Sequence, residues 1–165
     1  MDIKIKEKNI KFKVRVSAVL IINNKLLVNK YSEDSFCLPG GYVEIGETSS
    51  EAIKREVKEE LNIEVDVEKI MGICENFFVN SRKEMTHGIE FYYKVKPKDI
   101  NNINLNNFDF VENDRGYKIV HHFRWLDINE LENYKLLPKE IINYIKKKKE
   151  NIFHRIIKLD DINEK

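Results

Sequence analysis

Residues 39–63 read PGGYVEIGETSSEAIKREVKEELNI, and the spacing of their glycines, arginine and glutamates decides how the rest of the chain is read. The apolar side chains Ala52, Ile53, Val57 and Leu61 recur at helical spacing, which predicts an amphipathic helix over 48–61. Thr48, Ser49 or Ser50 can cap its start, and Glu51 stands three residues after Thr48, a capping-box spacing. Asn62 stands where a helix end favours Gly or Asn. On that helix Glu56, Glu59 and Glu60 crowd one side of a single turn. Like charges at such spacing repel by roughly a few tenths of a kcal/mol per pair, and a cation between them offsets the repulsion. Hard cations such as Mg²⁺ and Mn²⁺ take carboxylate oxygens and keep positions open for phosphate groups. A solvated acidic helix after a glycine turn would account for the composition but not for the spacing.

Working outward, Gly40 and Gly41 make a loop without side chains, where backbone amides or carbonyls can come close to a metal or a phosphate. Pro39 stiffens the entry. Glu47 lies just before the helix, near its positive end, and Arg55 can pair with Glu47 or a neighbouring carboxylate and hold it in one rotamer. A glycine loop, a capped helix and an acidic row suit metal-assisted attack of water on a phosphoanhydride.

The stretch resembles the Nudix box, Gly-x5-Glu-x7-Arg-Glu-U-x-Glu-Glu-x-Gly-U, where U is a bulky aliphatic residue. Gly41, Glu47, Arg55, Glu56, Val57, Glu59, Glu60 and Ile63 match, and Asn62 replaces the second glycine. Asn is the next best residue for a left-handed helix end, so the turn is expected to survive. Six fixed identities at typical residue frequencies arise by chance on the order of 10⁻⁵ to 10⁻⁴ times in a chain of this size. More loosely, the likeness runs from about Val14 to Ile145: Phe36-Cys37-Leu38-Pro39-Gly40-Gly41 is similar to the family's approach to the box, and Trp125-Leu126, Glu130-Leu131 and Pro138 to its usual ending.

The resemblance implies an α/β (α+β) fold, a mixed sheet between helices. It implies that Glu56, Glu59 and Glu60 bind Mg²⁺ or Mn²⁺, with a backbone oxygen near Gly40 helping and Glu47 joining through water. Arg55 is expected to orient these carboxylates rather than bind phosphate. The general base stays open between Glu59, Glu56, Glu112 and Glu90. Glu112 lies in an expected loop that could swing over the site, whereas Glu90 lies on an expected strand where a cross-strand pair with Lys or Arg is its ordinary use. Phe36 and Tyr31, beside the loop into the box, are the expected stacking residues. His87, His121 and His122 show no zinc spacing. In an expected strand over 117–126, His121 and His122 point to opposite faces.

The remaining chain reads as strands and two further helices, all in a single domain over 1–165. Residues 1–13 form a strand or short hairpin around Glu7-Lys8-Asn9. Residues 14–22 and 25–31 are strands joined at Asn23-Asn24, two residues that tolerate the left-handed conformations of a tight turn. Residues 63–79 and 88–96 are strands joined by the polar turn 80–84. Residues 98–116, rich in Asn and Asp, read as a loop. A short helix around 128–134, capped by Asp127 or Asn129, and a final helix over 138–158 complete the order.

The 165 residues carry 29 Lys+Arg against 28 Asp+Glu, a formal net charge of +1. No global field draws the protein to nucleic acid or an anionic membrane, so an anionic ligand must be held locally. No apolar run reaches membrane-spanning length. The charged start Met1-Asp2-Ile3-Lys4-Ile5-Lys6 is unlike a secretory leader, so a cytoplasmic protein is expected. Cys37 and Cys74 are expected to be inert core residues.

For substrate, the resemblance implies a small nucleotide. The proline typical of ADP-ribose types is absent about fifteen residues after the box, where 76–80 read NFFVN. The NADH-type and coenzyme A-type marks are also absent. Elimination leaves a nucleoside triphosphate pyrophosphohydrolase releasing a nucleoside monophosphate and pyrophosphate. ADP-ribose, nucleotide sugars and dinucleoside polyphosphates remain as alternatives, and a non-catalytic nucleotide sensor on the same fold is the reading from another class. A homodimer is what the family commonly forms.

Overall fold

The computed structural model describes residues 1–165 apart from 2, 8, 80–82, 102, 115 and 159–165. Its strands and helices run β1 (Lys4–Glu7), β2 (Ile10–Ile22), β3 (Lys25–Lys30), β4 (Ser35–Cys37), α1 (Ser49–Leu61), β5 (Val65–Val79), β6 (Met85–Pro97), β7 (Phe108–Asp114) and β8 (Tyr117–Asp127). A 3₁₀ helix (Ile128–Asn133), β9 (Lys135–Leu137), α2 (Glu140–Lys146) and β10 (Phe153–Ile157) follow.

The sheet is mixed, as the family resemblance implied. Its strands lie in the order β10-β5-β6-β2-β3-β4-β9, with β1 on β2, β8 on β3 and β7 on β8. The pairs β2–β6, β5–β10 and β4–β9 are parallel, and the others antiparallel. The long β2 is central because its residues are apolar on both sides. Val16, Ala18, Leu20 and Ile22 pack with Ala52, Ile53 and Val57 of α1. Val19 packs instead with Met71, Ile141, Ile142 and Phe153 on the α2 side. Each face is therefore a separate core, and the apolar stripe of α1 fixes its acidic side relative to the sheet. Asn23 and Asn24 take φ of 48° and 62°, the left-handed pair a two-residue hairpin requires.

Three expectations are corrected. The helix over 138–158 ends at Lys146, and Lys148 turns left-handed at φ 48°. The reason lies in residues 146–151, which are all polar and give a helix no apolar stripe to bury. The chain then returns as β10, with Phe153 against the rings of Tyr92 and Tyr144 at centroid distances of 5.6 and 4.9 Å. Gly72 makes room for Phe153, since a Cβ there would collide with its ring. The loop over 98–116 contains β7, because Phe108 and Phe110 alternate and pack on the α1-side core beneath an Asn- and Asp-rich surface. The long loop after β3 holds β4, which pairs with β9. Most of the expected turn over 80–84 lies outside the described residues. Among the described residues no helix is long and apolar enough to cross a membrane.

Candidate active site

The site begins with backbone laid along β2. Pro39 and Gly41 offer their carbonyls to the amides of Ala18 and Val16 at 2.8 and 3.0 Å. Alternation turns the Gly40 peptide groups the other way. Its N–H donates to Glu60 Oε2 at 3.1 Å, and its carbonyl accepts from Arg15 Nη2 at 3.1 Å. Both glycines are required. Gly40 has φ +142°, and a Cβ on it would run into the Val16 carbonyl; a Cβ on Gly41 would run into the Glu56 carboxylate.

Helix α1 brings the acids to this loop. Thr48 caps its N-terminus and forms the full capping box with Glu51, while Asn62 closes the C-terminus at φ 55°, ψ 30°. The replaced box glycine therefore keeps the left-handed end. The Glu60 and Glu56 side chains are only 9% and 14% exposed, and Glu59 is 59% exposed. The buried Glu60 and the half-buried Glu56 thus meet the glycine loop, while Glu59 of the same turn is exposed.

Arg55 is the hub of the cluster. Its Nε and Nη2 clasp both Glu47 oxygens at 3.1 and 2.7 Å. Its Nη1 donates to Glu56 Oε1 at 2.9 Å and Glu59 Oε2 at 3.0 Å, and its Nη2 also reaches the Tyr42 carbonyl at 2.9 Å. A planar fork can hold three carboxylates and a carbonyl at once; an ammonium cannot. The Glu44 amide secures Glu47 from the other side at 2.7 Å. The hydrogen bonds from Arg55 hold the Glu47 carboxyl below its usual range.

Elsewhere in the row the charged form is disfavoured. Burial, then the charge of Glu56, pushes the Glu60 carboxyl up to about 8. Burial also raises Glu56. Between the unfolded value near 4.5 and about 8, the folded protein binds a proton at Glu60 that the unfolded chain has lost. Metal-free protein is therefore expected to lose stability as pH rises through that window and to level off above it. Glu56 acts in the same direction, whereas Glu47 contributes stability that is lost on acidification. Denaturant unfolding at about pH 5 and about pH 8 checks this, with Glu60→Gln flattening the difference; an equal pH response in the variant would remove Glu60 as the cause.

The expected base candidates separate clearly. Glu112 sits on β7, not on a swinging loop, and its Oε2 lies 3.0 Å from His121 Nε2. The other face of that imidazole reaches the acidic row, with Nδ1 3.9 Å from Glu60 Oε1. Glu90 is taken up across the sheet by Arg15 at 3.7 Å and the Ser17 hydroxyl at 2.6 Å. It is a counter-ion for the arginine that holds the Gly40 carbonyl. Phe36 packs edge-on against Tyr134 at 5.6 Å and leans on the α2-side core. Tyr31 is 76% exposed beside Lys30, His122 and Arg124. His121 and His122 do face opposite ways, and His122 pairs with Asp109 at 2.9 Å. Arg15, Asn29 and His121 are the site neighbours not expected from sequence; the alternation of β2, β3 and β8 was the signal that could have found them.

These elements are those of a known family. A family model described as NUDIX domain matches residues 11–147. The chain belongs to the NUDIX family. One curated relative, the ADP-ribose pyrophosphatase of Methanocaldococcus jannaschii, is 39% identical over 64 residues, covering 36% of this chain and 38% of its own length. Among solved structures, a NUDIX hydrolase from Nitrosomonas europaea is 18% identical with a TM-score of 0.59, over 88% of this chain and 78% of that one. The Mutator MutT protein of Bacillus halodurans is 17% identical with a TM-score of 0.56, over 86% and 89%. At these identities the structural likeness is one of fold.

Proposed function

We propose that this chain hydrolyses a phosphoanhydride bond in a nucleoside diphosphate linked to a second moiety. The observation that carries the reading is the Arg55 hub, which holds Glu47, Glu56 and Glu59 together beside a glycine loop too tight for any side chain. Such preorganised charge is what a diphosphate and its cation require.

The donor set fits Mg²⁺ or Mn²⁺. Every candidate ligand is a hard oxygen: Glu56, Glu59, Glu60 and the Gly40 carbonyl, with Glu47 behind them. Among the described residues no three acidic or His/Cys side chains already converge as a cage. When bound, such an ion neutralises charge on the diphosphate and polarises its phosphorus. The chain's own residues do the rest: Gly40 lets the backbone come close, Arg55 fixes the carboxylate rotamers, and the half-exposed Glu112 bonds through one oxygen to His121, whose other ring nitrogen lies 3.9 Å from Glu60.

For substrate, the likeness to an ADP-ribose pyrophosphatase supports an ADP-ribose-type compound, and a positive likeness outweighs one missing proline. A nucleoside triphosphate is the second reading, favoured by the absent subfamily marks. The products decide between them. A panel assay with Mg²⁺ should yield AMP and ribose 5-phosphate on the first reading, and a monophosphate with pyrophosphate on the second. No release from any member of a broad panel would leave the nucleotide-sensor alternative standing. Glu59→Gln should cut kcat by at least about 10²-fold with the fold intact, since an exposed carboxylate contributes little to stability. An unchanged rate would take Glu59 out of the mechanism.

A further inference from the structure

We propose that Asn29 and His121 are positioning residues that hold the Glu112 carboxylate as the proton acceptor for the hydrolytic water. The inference rests on the hydrolase reading above. Three hydrogen bonds in series carry it, and together they assign the protons.

The chain of bonds starts at backbone. The His122 amide donates to Asn29 Oδ1 at 3.0 Å. An amide N–H can only donate, so the oxygen of Asn29 must lie there and its nitrogen must lie on the other side. That nitrogen, Nδ2, is 2.9 Å from His121 Nδ1. Nδ2 can only donate, so Nδ1 accepts and carries no proton. A neutral imidazole then has its proton on Nε2, which is 3.0 Å from Glu112 Oε2 and donates to it. The ring cannot easily turn away. It lies 11° from parallel with Phe123 at 6.0 Å and is flanked by Phe110 at 5.9 Å.

The consequence is a carboxylate tied to His121 through one oxygen, Oε2. Glu112 stands on β7 opposite Ile119, with its side chain about half exposed. His121 spans from this carboxylate to within 3.9 Å of Glu60. The His121 imidazole therefore stands between the Glu112 carboxylate and the buried Glu60 of the acidic row. In the step inferred, water passes a proton to Oε1 of Glu112 as its oxygen bonds to phosphorus. The bridging P–O bond breaks, and its electron pair leaves with the departing phosphate. Asn29 and His121 touch neither water nor phosphorus; they set the angle of Glu112.

Two measurements test the inference. In metal-free protein, nitrogen NMR of the imidazole should show His121 Nδ1 unprotonated and Nε2 protonated. Asn29→Asp, which puts an acceptor where a donor stood, should move a proton to Nδ1. A wild-type His121 protonated on Nδ1 would overturn the assignment, whether or not a substrate is known. In turnover, His121→Phe keeps the ring packing and removes both nitrogens. It should lower kcat at least about 10-fold with KM changed less than about threefold, and His121→Gln, which restores a donor toward Glu112, should recover most of the loss. In a Glu112→Gln background, His121→Phe should cost nothing further. A full additional loss in that background would mean that His121 acts by itself and not through Glu112. Should wild-type protein hydrolyse nothing, the hydrolase reading fails, while the NMR arm still decides the Asn29–His121 tether.

Discussion

Arg55→Ala is expected to lower kcat/KM by at least about 10²-fold while the chain stays folded. Five hydrogen bonds run from this one guanidinium to Glu47, Glu56, Glu59 and the Tyr42 carbonyl. Without it, the carboxylates of Glu47, Glu56 and Glu59 repel and relax to different rotamers, and displacements of about 1 Å near a reacting centre cost rates of this order. The helix itself survives, since its capping box and its buried stripe of Ala52, Ile53 and Val57 do not involve Arg55. Arg55→Lys should recover little, because a point charge cannot occupy a fork with two edges. Steady-state kinetics and thermal unfolding on both variants check this, and a lysine variant within about threefold of wild type would show that charge alone suffices.

The glycine pair gives the second large effect, and its two members should fail differently. Gly40→Ala sets a Cβ against backbone, the Val16 carbonyl, at a φ of +142°. Backbone of a central strand cannot step aside cheaply, so a loss of about 2–4 kcal/mol in unfolding free energy is expected. Gly41→Ala sets its Cβ against the Glu56 carboxylate instead. A side chain can move, so the fold should hold within about 1 kcal/mol while kcat falls by at least about 10²-fold as Glu56 leaves its place. Denaturant midpoints beside kcat for the two variants separate stability from catalysis. Equal stability losses would refute the distinction drawn between the two contacts.

Much of this was legible in residues 39–63. Local rules suffice there: the Thr48–Glu51 box, the left-handed Asn62 and the shared side of Glu56, Glu59 and Glu60 all depend on residues within one or two turns. The strands around β2 were legible for the same reason, as was the Asn23-Asn24 turn. What was hidden depends on distant pairing. Nothing near Asn29 announces that its amide meets His121, 92 residues on. Glu112 looked like a loop acid because Asn and Asp surround it, and the short Phe108/Phe110 alternation becomes a strand through its pairing with β8, where Phe110 meets His121. The tail read as helix because the periodicity of α2 was extended over residues 146–151, which have no apolar face to sustain it. Glu90 was placed on its strand correctly, but that it binds Arg15 and Ser17 follows from parallel pairing that no local pattern encodes.

The strand β10 bears on how the chain comes into being. Its five residues lie along Gly72 to Asn76 of β5, and every part of the acidic site precedes it in sequence. During synthesis from the N-terminus, the box, its loop and β7–β8 can all assemble while one flank of β5 has no neighbour. For that interval the growing chain displays free amides and carbonyls beside Met71, Ile73 and Cys74, a template for another nascent copy. A polypeptide that stops short of Phe153 would thus carry a complete acidic row on a body prone to stick to itself, and loss of solubility would precede loss of the site.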